Sequence, residues 1–296
     1  MLALLLFAVI SNSPSASAAP TNPVIDLSLP ASAEPQSDQY VFDESVIFSP
    51  NFASNQNDLA LSDLFGQGSV SNLCFPTTLA EALINLFAYH SPKFGNLKLA
   101  DLSSDQKSIV PNDLVRQLAT LCKTDANNGT DSRDAIACVT SVLTQSGYGL
   151  GTTQLISPFN VASTSPPILS RDVTISDIRN ALQAGSPVLL EAAWFQFDPS
   201  TRSWVRHSGH YIGVYGYDYN RSWGENQIQL KIINPETVYS SNRQTSLWDT
   251  VTIIRVAPQP GITYPTHRPF ILTGPGFGGL TKRGFLGMII KLAPQQ

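Results

Sequence analysis

Apolar residues recur every three or four positions in the first half of the chain and every second position in the second half. Residues 74–89 carry Leu79, Leu83, Leu86 and Phe87 at the spacing of an amphipathic helix. Pro76 falls in the first turn of that segment, where a missing N–H costs nothing. Residues 112–122 repeat the pattern through Leu114, Val115, Leu118 and Leu121, and residues 132–145 through Ile136, Val139 and Leu143. A fourth helix is predicted over 175–184, closed by Gly185. The period then changes. Residues 187–192 are nearly all apolar, like a strand buried on both faces. Residues 210–217 read as a second strand. Residues 227–233 alternate Ile228, Leu230 and Ile232 with polar neighbours, as a strand with one wet face does. Residues 218–226 read as the hairpin loop between those two, and 248–256 as a fourth strand.

Helices followed by an antiparallel sheet is the α+β pattern. The domain is placed at 46–256. A linker or short propeptide-like segment, rich in Pro, Ser and Ala, is placed at 19–45. Residues 257–296, rich in Gly and Pro with no clear period, read as an irregular C-terminal tail. Met1–Ile10 is unbroken apolar sequence, and Ala16-Ser17-Ala18 suits a signal-peptidase site. The reading is therefore a signal peptide over 1–18, cleavage after Ala18 and a secreted or periplasmic protein. Ten apolar residues are too few for a spanning helix, and no later run is long enough, so no integral membrane span is expected.

Charge adds exclusions. The net charge is −4, charged residues make up 14% of the chain, and no run of either sign occurs. A nucleic-acid groove would need clustered Lys and Arg. The 42% hydrophobic content suffices for a full core. Nothing in the pattern marks a cofactor or an oligomeric state.

Three cysteines are an odd number for an exported chain. Cys122 and Cys138 lie close enough to close a short loop, stapling the second helix to the third across 123–130. Cys74 is left over, to be buried and inert, paired between chains, or kept for chemistry. It opens a predicted helix, where the partial positive charge and free N–H groups favour a thiolate, the form that attacks carbonyl carbon. Gln67, seven residues upstream, can either support an oxyanion with the Cys74 N–H or serve as a polar turn residue. His210 heads a strand after Gly209 and is a candidate base, or an ordinary strand-end residue. His207 is its nearest competitor, and the pair does not have the spacing of metal ligands on a helix. Asn234 ends the next strand in Asn234-Pro235. A hairpin can bring it beside His210 to orient the imidazole, or it can simply form an Asn-Pro turn.

The order of these pieces is more specific than any one of them. Gln67, Asn72-Leu73-Cys74-Phe75-Pro76-Thr77, Leu182-Gln183-Ala184-Gly185-Ser186-Pro187-Val188, Gly209-His210-Tyr211 and Asn234-Pro235 together resemble papain-like cysteine peptidases. Within them the pattern resembles the double-glycine leader peptidases that process bacteriocins, over roughly residues 60–256. The resemblance implies a nucleophile at Cys74, a base at His210, an orienting residue at Asn234 and an oxyanion donor at Gln67. It also implies a peptide or protein substrate and a fold with the nucleophile's helical half packed on the sheet. Phe75 stands where that branch has Gly, and Asn234 where it has Asp. No transporter domain follows, so coupling to export is not expected. Transglutamination, deamidation or isopeptide cleavage on the same three residues, and a catalytically silent binding domain, are the alternatives.

Overall fold

The computed structural model describes residues 42–47, 56, 61, 64, 72–90, 111–145, 149–158, 168–236, 249–257, 268–274, 277 and 282–293. All of them fall in the compact unit Gln36–Gln296. The segment read as a signal peptide, most of the segment read as a linker, and Gln67 lie outside the described residues.

The helices form where the 3.6-residue period predicts them: α1 Cys74–His90, α2 Pro111–Leu121, α3 Ser132–Gln145 and α4 Ile175–Gln183. Thr174 starts α4 sharply through a capping box. Its hydroxyl accepts from the Asp177 N–H at 3.1 Å while the Asp177 carboxylate accepts from the Thr174 N–H at 2.9 Å.

Nine described strands form one sheet: β1 Glu44–Ile47, β2 Gln154–Ser157, β3 Ile168–Ser170, β4 Val188–Asp198, β5 Ser203–Tyr219, β6 Gln227–Ile233, β7 Asp249–Arg255, β8 Phe270–Thr273 and β9 Lys282–Lys291. Pairing is antiparallel except between β2 and β3. Because β4 pairs with both β5 and β9, the path β4-β5-β6-β7-β8-β9 returns to its start as a ring. The chain is thus a mixed helix-and-sheet protein with a large antiparallel sheet.

The core has two parts, and β4 shows why. Leu189 packs with Phe75, Leu79, Leu118 and Ile136 of α1–α3. Its neighbours Val188 and Leu190 pack with Ile178 and Leu182 of α4 and with Ile212, Leu230 and Val251 of the ring. Alternate residues of a strand point to opposite faces, so a strand covered on both sides must be apolar throughout. Glu191, on the Leu189 face, is the exception.

Several boundaries depart from the sequence reading. Glu44 and Ser45, assigned to the linker, belong to β1 and pair with Tyr219 and Asp218. The β4 and β5 strands are longer than expected, because Trp194, Phe195, Phe197 and Trp204 extend the hairpin past a polar stretch. The loop expected at 218–226 keeps Asp218 and Tyr219 in β5, and Arg221–Asn226 forms a 3-10 helix. The largest departure is residues 257–296, which contribute β8 and β9 instead of an irregular tail. Gly284 and Gly287 obscure the pattern of β9, and Gly287 has a packing reason. A Cβ on Gly287 would stand 2.5 Å from Glu191 Oε2, and one on Gly284 would be 3.4 Å from both Trp194 and Phe277.

Candidate active site

Cys74 is the first residue of α1, and the helix is entered by a hydrogen bond from the Thr77 N–H to the Leu73 carbonyl at 3.0 Å. Cys74 is a free, buried cysteine with 8% of its surface exposed. Two contacts fasten this helix start to β5. The Phe75 ring meets the Tyr211 ring edge-on at 4.7 Å, and the Thr78 hydroxyl donates to the Tyr211 carbonyl at 3.1 Å. Phe75 thus has a packing role, its fully buried ring locking the helix that Cys74 opens to the strand that carries His210.

His210 precedes Tyr211 on that strand and is buried. Antiparallel register pairs Gly213 with Ile233, which returns the end of β6 to the neighbourhood of His210 and places Asn234 there. His210 Nε2 lies 2.8 Å from Asn234 Oδ1. The same Oδ1 accepts the Glu236 N–H at 3.0 Å. An atom that accepts from a backbone N–H must be the amide oxygen, so Nε2 carries the proton it shares with Asn234. The Cys74 side chain is close enough to act on the charge of the ring.

Burial disfavours the charged imidazole, yet the His210 pKa is raised above its ordinary 6.5. The nearby Cys74 side chain, the bond to Asn234 and the charge of Glu236 together outweigh the desolvation. The site therefore favours the imidazolium form of His210.

Of the residues singled out in the sequence, the structure brings together Cys74, His210 and Asn234. It joins Cys122 to Cys138 by a disulfide with the Cα atoms 4.7 Å apart, linking the end of α2 to α3. His207 is exposed on β5. Among the described residues no group of three or more His, Cys, Asp or Glu could hold a metal ion.

The sequence reading passed over Glu191. It is fully buried beside the site, across the strand pair from Tyr211, and its carboxylate takes a hydrogen bond from Arg206. Gly209, the residue before His210, makes room for it: a Cβ there would stand 2.6 Å from Glu191 Oε1. Burial raises the Glu191 pKa, the Asp131 charge adds to the rise, and Arg206 opposes it. The available signal was a lone charge in an otherwise apolar strand.

Residues 52–245 match the family model described as the Peptidase_C39 like family, a span that includes all three clustered residues. No curated protein and no solved structure matches the chain.

Proposed function

The chain belongs to the Peptidase_C39-like family of cysteine peptidase-type hydrolases, and from that premise we propose that it cleaves an amide bond of a peptide or protein with Cys74, His210 and Asn234. The observation that carries the reading is the buried His210 ring, bonded through Nε2 to Asn234 and close enough to Cys74 for that side chain to raise its pKa. The fold proposed for this arrangement is papain-like, with α1–α3 as the helical half and the ring of strands as the other.

In the proposed reaction the Cys74 thiolate attacks the carbonyl carbon, and the oxyanion is held by the Cys74 N–H and Gln67. The His210 imidazolium gives its proton to the leaving nitrogen as the C–N bond breaks, which releases an amine and leaves a thioester. Neutral His210 then takes a proton from water. The hydroxide attacks the thioester, and the acid departs as the thiolate and imidazolium are restored. Asn234 keeps Nε2 protonated throughout, so that Nδ1 is the nitrogen that exchanges the proton. The Cys122–Cys138 disulfide supports an oxidising compartment, in keeping with export.

The residue pattern makes a peptide with a double-glycine site the first substrate to try. Cys74→Ala should abolish cleavage, followed by mass spectrometry of a peptide pool, while the circular dichroism stays that of the parent. Full activity in Cys74→Ala would end the proposal. Adding a primary amine to the same assay separates hydrolysis, which yields the free acid, from acyl transfer, which yields the amide.

A further inference from the structure

Between the ends of the disulfide the chain builds a braced turn. Asp125 and Gly129 exchange both backbone hydrogen bonds, at 2.8 and 2.9 Å. The Asp125 carboxylate accepts from the N–H groups of Asn127 and Asn128, each at 2.9 Å. The hydroxyls of Thr124 and Thr130 meet at 2.8 Å across the base. Gly129 sits at φ 72, in the left-handed region that favours glycine. Cys122 and Cys138 then close the unit covalently, and both are buried.

This turn faces the start of α1. Asn72 donates from its side-chain amide to the Ala126 carbonyl. A Cβ on Gly129 would lie 3.5 Å from the Asn72 backbone oxygen. Asn72 is two residues before Cys74 and directly precedes Leu73, whose carbonyl accepts the first helical bond.

We infer that Asn72 is a positioning residue for Cys74, and that the disulfide-closed turn is what holds Asn72 in place. The inference rests on the reading of Cys74 as nucleophile. Two vectors decide whether that cysteine works: Sγ must reach the His210 ring, and the Cys74 N–H must point to the oxyanion. Both are set by the path of the backbone as it enters α1. A small misplacement of a reacting group is costly because the bound geometry must already approach that of reaction. An anchor on an open-ended loop would move with the loop. Here the anchor is tied internally by six hydrogen bonds and externally by a covalent link.

The test needs no substrate. The rate of Cys74 alkylation by iodoacetamide is measured on the full chain from pH 5 to 9, with peptide mapping and thermal midpoints in parallel. Variants are Asn72→Ala, Asn72→Leu (nearly the same shape with neither donor nor charge) and Cys122→Ser with Cys138→Ser. The parent should alkylate faster at pH 6 than the same cysteine in the urea-unfolded chain. Both Asn72 variants should lose roughly tenfold at pH 6, about the worth of one hydrogen bond, and converge with the parent at pH 9, with a midpoint only a few degrees lower. The double cysteine variant should fall in the same direction. If it does not fold, the Asn72 variants decide. A parental rate–pH profile in both Asn72 variants overturns the positioning role. A parent that alkylates no faster than the unfolded chain overturns the nucleophile reading itself, and this inference with it.

Discussion

Replacing Asn234 by Ala removes the acceptor that holds His210 Nε2 at 2.8 Å, along with the Glu236 N–H bond at 3.0 Å to the same oxygen. A hydrogen bond to a charged group contributes about 1.5–3 kcal/mol. If that support is fully present when His210 is an imidazolium, its loss lowers the rate roughly tenfold to a hundredfold. The pH dependence is more diagnostic than the magnitude. Burial lowers the His210 pKa, and Cys74, Asn234 and Glu236 more than reverse this, so its pKa stands above 6.5. The imidazolium then persists above 6.5, and activity is lost on the alkaline side as it deprotonates. Without Asn234 one of the raising contributions disappears, and the alkaline limb should move to lower pH. Asn234→Asp puts a negative charge at the same place and should move that limb the other way. The stability sign agrees. A raised histidine pKa contributes stability that is fully present below 6.5 and lost as pH rises through the folded value. The gap in midpoint between parent and Asn234→Ala should therefore narrow as pH rises through that window. Rate–pH profiles of peptide cleavage, or of Cys74 alkylation, measure the limb directly. An alkaline limb that does not move in Asn234→Ala would refute the assignment of Asn234 as the residue that supports the charged ring.

Two further outcomes test the surroundings of the site and the fold. Glu191 has its pKa raised by burial, so the folded carboxyl keeps its proton above 4.5 and stability should fall as pH rises from there through the folded value. Glu191→Gln should remove that slope, and urea midpoints between pH 4.5 and 8 that run parallel in the two proteins would count against it. Thr174→Ala removes the N-cap acceptor of α4 and should cost about 1 kcal/mol, a midpoint drop of roughly 2–4 °C by calorimetry, with cleavage unchanged.

Much of this protein is written in local sequence. The four helices follow from apolar spacing, because a helix needs only its own residues to declare its buried face. The order of Cys74, His210 and Asn234 was legible for a related reason: Cys74 and Asn234 sit at element boundaries the chain itself marks, and His210 follows a glycine inside a long strand. A cysteine opens a helix, and an Asn-Pro pair closes the strand after the one that carries His210. The disulfide pairing of Cys122 with Cys138 needed only proximity along the chain.

What tertiary structure decided are the contacts whose cause lies on another strand. Gly209 and Gly287 look like strand breakers in sequence, yet they are where β5 and β9 give way to the carboxylate of Glu191 from β4. With Gly287 explained only by a residue far away in the chain, β9 read as irregular tail, although it closes the ring of strands and covers one edge of β4. The anchoring of Asn72 on the disulfide-closed turn was hidden in the same way, since nothing near Asn72 names Ala126 as its partner. Periodicity records which side of an element is buried but not what buries it, and the partner is settled only when the chain has packed.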